Sequence, residues 1–303
     1  LNDQSWINAV IPLSKTPADA EPLTGFKRFF HESVLTLKLG VPVVIAQILL
    51  ISMQFVDTVM AGHVSARDLA ALGIATALFH PLLLLMVGVL MAVTPMVAQL
   101  KGSQKDDRIS KVVADALQLS LVFALPLILL LHLLEPLMEF IGYPEEVSRI
   151  GDGYLQAVAW GVPAMLAYDV FRHFNEGVAL TRPNMYFHIV GLMLNILGNY
   201  TLMFGHLGFP AMGAVGAGWS TALVWNMMFL MMILFSFKNS RLRKYLKLGD
   251  FFRIHLLNTR EILRIGVPNG LSTGAETGLF ALVALMMGTL GVHVMAAHQI
   301  AIN

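Results

Sequence analysis

Seven long apolar stretches, separated by short polar breaks, restrict the fold of this chain more than any other feature. They fall near residues 39–62, 69–99, 112–134, 153–178, 185–205, 213–237 and 262–288, and an eighth begins near residue 290. Because about 20 predominantly apolar residues suffice for a helix to cross a bilayer, each stretch predicts a membrane-spanning helix. Residues 81–93 and 121–134 are apolar all round, whereas strands of a membrane barrel alternate in polarity over about 10 residues. The expected fold class is therefore an all-α polytopic membrane protein.

The composition agrees with a membrane protein and excludes several other classes. Hydrophobic residues make up 56% of the 303 residues, the four charged types only 13%, and the mean hydropathy is +0.70. Soluble domains carry about 25% charged residues, and a net charge of +1 gives no basis for binding nucleic acid. With no cysteine in the chain, disulfide bonds and thiolate metal sites are excluded. No nucleotide-binding or hydrolase motif is found, so we expect neither an enzyme nor a resident cofactor.

The distribution of Lys and Arg predicts the orientation of the chain in the membrane. Eighteen of the 20 lie in the N-terminal segment with the start of the first stretch, or in the second, fourth and sixth breaks; only Arg67 and Arg149 lie elsewhere. Since cytoplasmic loops are enriched in Lys and Arg, the N-terminus and the sixth break are expected to be cytoplasmic. The first 30 residues are polar and lack the apolar core of a signal peptide, which predicts a flexible tail.

A sequence repeat indicates two related halves. LKLGVP at 37–42 and LRIGVP at 263–268 are 226 residues apart, and small residues continue to match without a gap beyond them. Both copies begin at an expected cytoplasmic end, so the halves should be parallel repeats, as in some transporters. The second copy covers about two of six helices, as expected of an N-terminal fragment. We therefore predict a tail, a six-helix bundle, a cytoplasmic linker and the start of a second, repeat-related bundle, at residues 1–30, 31–240, 241–260 and 261–303 respectively.

Two carboxylates within the apolar stretches are functional candidates, because a charge is costly to bury in a membrane. Asp57 lies in the first stretch, roughly 27 Å along the helix, and Glu276 lies in the seventh, roughly 20 Å along. A carboxylate in a cavity of low dielectric constant can bind a proton, a sodium ion or a cationic drug, one at a time, which is the physical basis of antiport. The alternative is a structural carboxylate that only hydrogen-bonds to neighbouring helices.

Polar residues of two further stretches could complete such a site. Asn195 and Asn199 are spaced i, i+4 and share one helix face. Their amide oxygens would suit a hard cation beside a carboxylate, although hydrogen bonding between helices explains them equally well. Thr221 could add a hydroxyl group. Pro42 in the first stretch can bend its helix, either as a fixed kink or as a hinge.

Several of these motifs resemble those of the multidrug and toxic compound extrusion (MATE) family. The resemblance runs from about residue 26 to the end and is carried by FVDTVMAGHVSARDLAALGIA, NILGN, GAVGAGWSTA and IGVPNGLSTGAE. It is closest to the bacterial NorM-like, sodium-coupled branch. Such a resemblance implies twelve transmembrane helices in two six-helix bundles. It also implies export of cationic and amphipathic drugs in exchange for Na⁺ or H⁺.

Carried over by position, the resemblance implies a cation site in the N-terminal bundle formed by Asp57, Asn195, Asn199 and Thr221, with the first three binding Na⁺. Glu276 would be the carboxylate of the C-terminal bundle. Related branches have an aspartate where Asn199 stands, and the later acidic residue of the family, on the tenth helix, lies beyond the end of this sequence.

The expected protein is a monomeric, multi-pass antiporter of the bacterial inner membrane, without catalytic residues. Its expected partners are organic cations, Na⁺ or H⁺, and the lipid bilayer. Two alternatives stay open. A lipid-linked oligosaccharide flippase of related architecture would need cationic residues facing its cavity, and we find none within the apolar stretches. A membrane scaffold without transport activity would tolerate neutral replacements at Asp57 and Glu276.

Overall fold

The computed structural model describes residues 26–253 and 256–302, and every regular element in these ranges is helical. The helices are α1 (Phe26–Val64), α2 (Ala66–Leu90), α3 (Val93–Gly102), α4 (Asp106–Leu131), α5 (Glu135–Ile141), α6 (Glu145–Ala159), α7 (Val162–Gly177), α8 (Arg182–Leu202), α9 (Ala214–Lys238), α10 (Ser240–Arg243), a short 3-10 helix (Leu248–Phe252), α11 (Leu256–Thr289) and α12 (Val292–Ile302). The all-α prediction is confirmed. Of the predicted tail at 1–30, all but the last five residues lie outside the described ranges, and those five begin α1 rather than extending the tail.

Five segments of the described chain are long and apolar enough to cross a membrane, judged by length and composition. They are Glu32–Val64, Ala66–Gly102, Asp106–Leu131, Ala214–Lys238 and Asn258–Thr289. The predicted spans at 153–178 and 185–205 do not meet this criterion. The first region is divided between α6 and α7, which have 15 and 16 residues and are each shorter than the roughly 20 that cross a bilayer. α8 has 21 residues, but it carries several buried polar side chains that lower its hydropathy.

The predicted fourth span is divided into two helices. α6 ends at Ala159 and α7 begins at Val162, so Trp160 and Gly161 lie between them. Pro163 lies in the first turn of α7, where its missing N–H breaks no helical hydrogen bond. Pro42, in contrast, lies inside α1, which continues as a helix on both sides of it.

Glycines allow the helices that carry the candidate residues to pack closely. α8 lies against α1 and α9, and α9 also lies against α6. A Cβ atom at Gly216 would come within 2.6 Å of the Leu202 carbonyl oxygen, and one at Gly218 within 2.7 Å of the Tyr154 carbonyl oxygen. The backbone of α9 therefore approaches α8 and α6 as only small residues permit, and this brings Thr221 of α9 into the interior of the bundle.

The described part of the second repeat packs against the first bundle. α11 lies along α2, and α12 also contacts α2. Gly266 and Gly270 of α11 are four residues apart, and a Cβ atom at Gly270 would come within 2.5 Å of the Leu85 carbonyl oxygen of α2. The Asn269 side chain donates a hydrogen bond to the Gly88 carbonyl oxygen at 2.8 Å. This close crossing is of the small-xxx-small kind common between membrane helices.

Candidate cation site

A cavity of about 530 Å³ lies within the first bundle, and α11 and α12 contribute to its wall. Its apolar lining includes Met53, Trp225 and Phe280, and its polar lining includes Asp57 and Thr221. A chamber of this size can enclose a drug-sized molecule, since ligand pockets commonly measure 300–1,000 Å³. The cavity therefore combines room for an organic molecule with one of the two carboxylates predicted from the sequence.

Asp57 receives two hydrogen bonds from α8 at the wall of this cavity. Its side chain is buried, with 9% of the residue exposed. The Asn195 amide donates to its Oδ1 atom at 2.9 Å, and the Asn199 amide donates to the same atom at 2.6 Å. The i, i+4 spacing thus directs both amides toward α1, and neither of these bonds involves Oδ2.

Two amide oxygen atoms of the same group have no hydrogen-bond partner among the described residues. They are the Oδ1 atoms of Asn195 and Asn199, and both are buried. The Thr221 side chain lies close enough to Asp57 to interact with its carboxylate. Because buried polar atoms are nearly always hydrogen-bonded, two such oxygens on side chains that contact one carboxylate favour a ligand at this position. Oxygen atoms alone are the ligands that a hard cation prefers.

Residues 42–201 match the MatE family model. The chain belongs to the MatE family. It is 40% identical over 276 residues to the multidrug resistance protein NorM of Aliivibrio fischeri, and 37% identical over 276 residues to that of Vibrio cholerae. Each match covers 91% of this chain and 60% of the relative. The chain thus spans about 60% of the length of these relatives.

Solved structures of MATE transporters share the fold. The eukaryotic MATE transporter AtDTX14 superimposes with a TM-score of 0.76 at 17% identity, covering 86% of this chain and 57% of that one. An inward-facing multidrug resistance MATE family transporter gives a TM-score of 0.72 at 22% identity, covering 82% of this chain and 56% of the other. At these identities the likeness shows the fold alone. Both agree with membership of the MatE family, which is a family of transporters.

This member of the MatE family has a second charged group in its cavity. Arg172 of α7 donates from Nε to Asp169 at 2.7 Å and from Nη1 to Glu176 at 3.4 Å, and all three side chains line the cavity. Two predictions are therefore wrong: Arg172 lies in a helix and not in the fourth break, and a cationic side chain does line the cavity. The i, i+3 and i, i+4 spacing of the three residues was the signal that could have revealed the group.

The charge of this group argues against the flippase alternative. Two carboxylates and one guanidinium leave one net negative charge, so Arg172 is already paired within its own helix. A pyrophosphate group that approached Arg172 would also meet the two carboxylates beside it. The cavity of this MatE protein is therefore suited to cations, although it contains an arginine.

Glu276 does not join the group around Asp57. It is exposed on α11, whereas Thr273 and Thr277 of the same helix line the cavity. The structure thus brings together the four residues predicted for the site of the N-terminal bundle, whereas Glu276, predicted as the carboxylate of the C-terminal bundle, lies apart from them. For Pro42, the structure shows its place within α1, and the hinge stays a prediction.

Proposed function

We propose that this chain belongs to a secondary antiporter that exports cationic or amphipathic drugs in exchange for Na⁺ or H⁺. The observation that carries the proposal is a buried carboxylate, Asp57, that lines a cavity of drug size and receives hydrogen bonds from two amides, whose own oxygens have no partner among the described residues. The relatives in Aliivibrio fischeri and Vibrio cholerae, named multidrug resistance proteins, support it. Membership of a transporter family also supports an assignment as a transporter rather than an enzyme.

Competition between the drug and the coupling ion for Asp57 would couple export of the drug to import of the ion. Without a cation, the two amide N–H groups stabilise the carboxylate charge, because hydrogen bonds to a charged acceptor are stronger than neutral ones. A proton or a sodium ion bound at the carboxylate would neutralise that charge. An organic cation beside Asp57 would then lose one of the negative charges that attract it, and its binding would weaken. Because one carboxylate neutralises one positive charge, drug and coupling ion exclude each other.

The amides of Asn195 and Asn199 would support either coupling ion. Rotation of an amide group by 180° exchanges its nitrogen and its oxygen. The N–H groups therefore suit the free carboxylate, whereas the oxygens suit a bound sodium ion or a protonated Asp57. The hydroxyl of Thr221 can donate or accept a hydrogen bond. The same side chains can thus serve both states of the site.

Exchange of one monovalent organic cation for one coupling ion moves no net charge, so the gradient of the coupling ion would drive it; for a neutral drug, the membrane potential would contribute as well. One elementary charge crossing 100 mV releases about 2.3 kcal/mol. Since about 1.4 kcal/mol corresponds to a tenfold concentration ratio, one net charge could sustain roughly a 50-fold gradient of a neutral drug. We further propose an inner-membrane location with a cytoplasmic N-terminus, which the distribution of Lys and Arg supports.

Dye efflux tests the proposal. Cells that produce the full-length protein are loaded with a fluorescent cationic dye. Efflux of the dye is then followed under an imposed sodium or proton gradient. We expect export with one of the gradients and a loss of that export in Asp57→Asn. The matched control is Asp107→Asn, the same chemical change at an exposed residue outside the cavity. Gradient-driven export that survives Asp57→Asn, or no export under either gradient from well-produced protein, would contradict the proposal.

A further inference from the structure

Residues 240–253, which join α9 to α11 and are called here the junction segment, are docked on the bundle. Leu242, Tyr245 and Leu246 are buried. The Lys247 backbone N–H donates to the hydroxyl of Ser110 in α4 at 2.9 Å. The position of this segment is therefore set by the bundle, whereas the sequence predicted only a linker.

A side chain further along α4 holds the second half of the junction segment. Gln118 donates from Nε2 to the Phe251 carbonyl oxygen at 3.0 Å and to the Arg253 carbonyl oxygen at 3.2 Å. Eight residues separate Ser110 from Gln118, so these contacts are roughly 12 Å apart along α4. The segment therefore runs from the polar beginning of α4 to the level at which its apolar stretch has begun. If α4 spans the membrane along its apolar stretch, that level would lie at the boundary between headgroups and acyl chains.

Large apolar side chains of the 3-10 helix are exposed at this level. Phe252 is 88% exposed and Leu248 is 66% exposed. Backbone groups of the neighbouring residues Lys247, Phe251 and Arg253 are hydrogen-bonded to α4. Apolar side chains at the membrane boundary gain free energy when they enter the acyl region.

Basic side chains accompany them. The junction segment contains five basic residues and one acidic residue, Asp250. Lys244 and Lys247 face Asp106 and Asp107 of α4, at 3.9 Å and 2.6 Å. Three arginines are exposed and form no ion pair with any residue in the described ranges; they are Arg241, Arg243 and Arg253. Free guanidinium groups beside exposed apolar groups fit an anionic membrane surface.

We propose that the junction segment is a binding site for anionic phospholipid. Leu248 and Phe252 enter the acyl boundary, and Arg241, Arg243 and Arg253 bind the phosphate groups, which a guanidinium can bind with two parallel hydrogen bonds. The orientation proposed above assigns the site to the cytoplasmic leaflet, but lipid binding itself does not depend on that orientation. Because the segment joins the two repeats, bound lipid would hold their connection at the membrane surface.

The absence of cysteine from the sequence allows a single label to test this. Gly249 lies within the 3-10 helix, and a Cβ atom added there would have no other atom within 4 Å. The complete protein carrying Gly249→Cys is labelled with a bimane fluorophore and placed in nanodiscs of phosphatidylcholine and phosphatidylglycerol. Quenching is compared between discs in which only one of the two lipids carries bromine, at equal mole fractions. We expect quenching by both lipids, at least threefold stronger by brominated phosphatidylglycerol.

Variants of the arginines and of Phe252 test which side chains bind the lipid. Replacing the three free arginines together by glutamine, in the labelled protein, should remove the preference for phosphatidylglycerol. Each charge is expected to contribute roughly fivefold to binding, since a basic residue near an anionic surface contributes about 1 kcal/mol. Phe252→Ser should reduce quenching by both lipids. Arg149→Gln, an exposed arginine outside the segment, should change nothing.

A label elsewhere controls for general contact with lipid. Phe140 of α5 is also 88% exposed, and it lies beyond the opposite end of α4, so labelled Phe140→Cys should show no preference between the lipids. Absence of quenching at Gly249→Cys would overturn the membrane position, and equal quenching by the two lipids would overturn the anionic preference. If the arginine variant does not fold, salt replaces it, since the preference should decrease as salt screens the charges. A preference unaffected by salt would also contradict the proposal. These outcomes do not depend on transport, so they are separate from the test of the proposed function.

Discussion

Helices α1 and α11 begin with the same sequence pattern but have different surroundings. Gly40 and Gly266 occupy equivalent positions of the repeat, as do Pro42 and Pro268. A Cβ atom at Gly40 would have no other atom within 4 Å, whereas one at Gly266 would overlap the backbone of Val89 in α2. The repeat therefore preserves the way in which a helix begins, while its packing depends on the helix beside it.

The carboxylates of the two helices are not equivalent. The position matching Asp57 in α11 is Val283, and the position matching Glu276 in α1 is Leu50. Asp57 is buried against α8 and receives two amide hydrogen bonds, whereas Glu276 is exposed. The two copies of the repeat thus share the start of their first helix, but their carboxylates lie at different positions along it.

The largest effect should separate these two carboxylates. Asp57→Asn should reduce gradient-driven dye export to the level of cells without the protein, because the buried group that exchanges a cation is lost. Glu276→Gln should leave measurable export, since Glu276 lies apart from the group around Asp57 and is not among the residues that line the cavity. Efflux rates at matched protein levels test this. Equal loss in the two variants would show that the difference in burial does not separate their roles.

Removing one amide should have the next largest effect. Asn199→Leu deletes an N–H donor that stabilises the ion-free carboxylate of Asp57, and a hydrogen bond to a charged group contributes about 1.5–3 kcal/mol. A coupling proton should therefore bind roughly 10- to 150-fold more tightly and be released less readily. Asn269→Leu, the matched change in α11, should leave ion binding within a few-fold, because Asn269 bonds to the Gly88 carbonyl oxygen instead. The measurement is the ion concentration at half-maximal efflux. A larger shift in the α11 variant would argue against a site centred on α1.

A methyl group at the equivalent glycines should affect stability in opposite directions. Gly266→Ala should lower stability by about 1–3 kcal/mol, the usual cost of overpacking. Gly40→Ala should be neutral or slightly stabilising, because alanine favours a helix over glycine by about 1 kcal/mol. Thermal unfolding of the purified protein in detergent compares the two. Similar melting temperatures for both variants would mean that α11 does not pack closely against α2.

The smallest effect should come from the hydrogen bond between Tyr143 and Leu285, near the C-terminal end of α11. The Tyr143 hydroxyl donates to the Leu285 carbonyl oxygen at 2.7 Å, and hydrogen bonds between membrane helices contribute about 0.6 kcal/mol on average. Tyr143→Phe should therefore shift the unfolding temperature only slightly and should leave dye export unchanged. A loss of export without a loss of stability would instead assign Tyr143 a role in the transport cycle.

Features that depend on neighbours in sequence could be predicted. The apolar stretches predicted helices, because crossing a bilayer depends on a continuous run of about 20 residues. The shared face of Asn195 and Asn199 followed from helix geometry alone. The break at Trp160 and Gly161 could not be predicted in this way, because both halves of that stretch are apolar enough to be read as one helix.

The tertiary structure alone decided which distant groups meet. Asp57 and Asn195 are 138 residues apart. They form a hydrogen bond only because α8 packs against α1. The same holds for Arg172, which seemed to belong to a loop until α7 placed it at the cavity, and for Gly40 and Gly266, which differ only in their neighbours. Sequence by itself determined that this chain is a helical membrane protein, since hydrophobicity and helix periodicity are local properties. The meeting of a carboxylate with its amides depends on contacts between helices that no local pattern records.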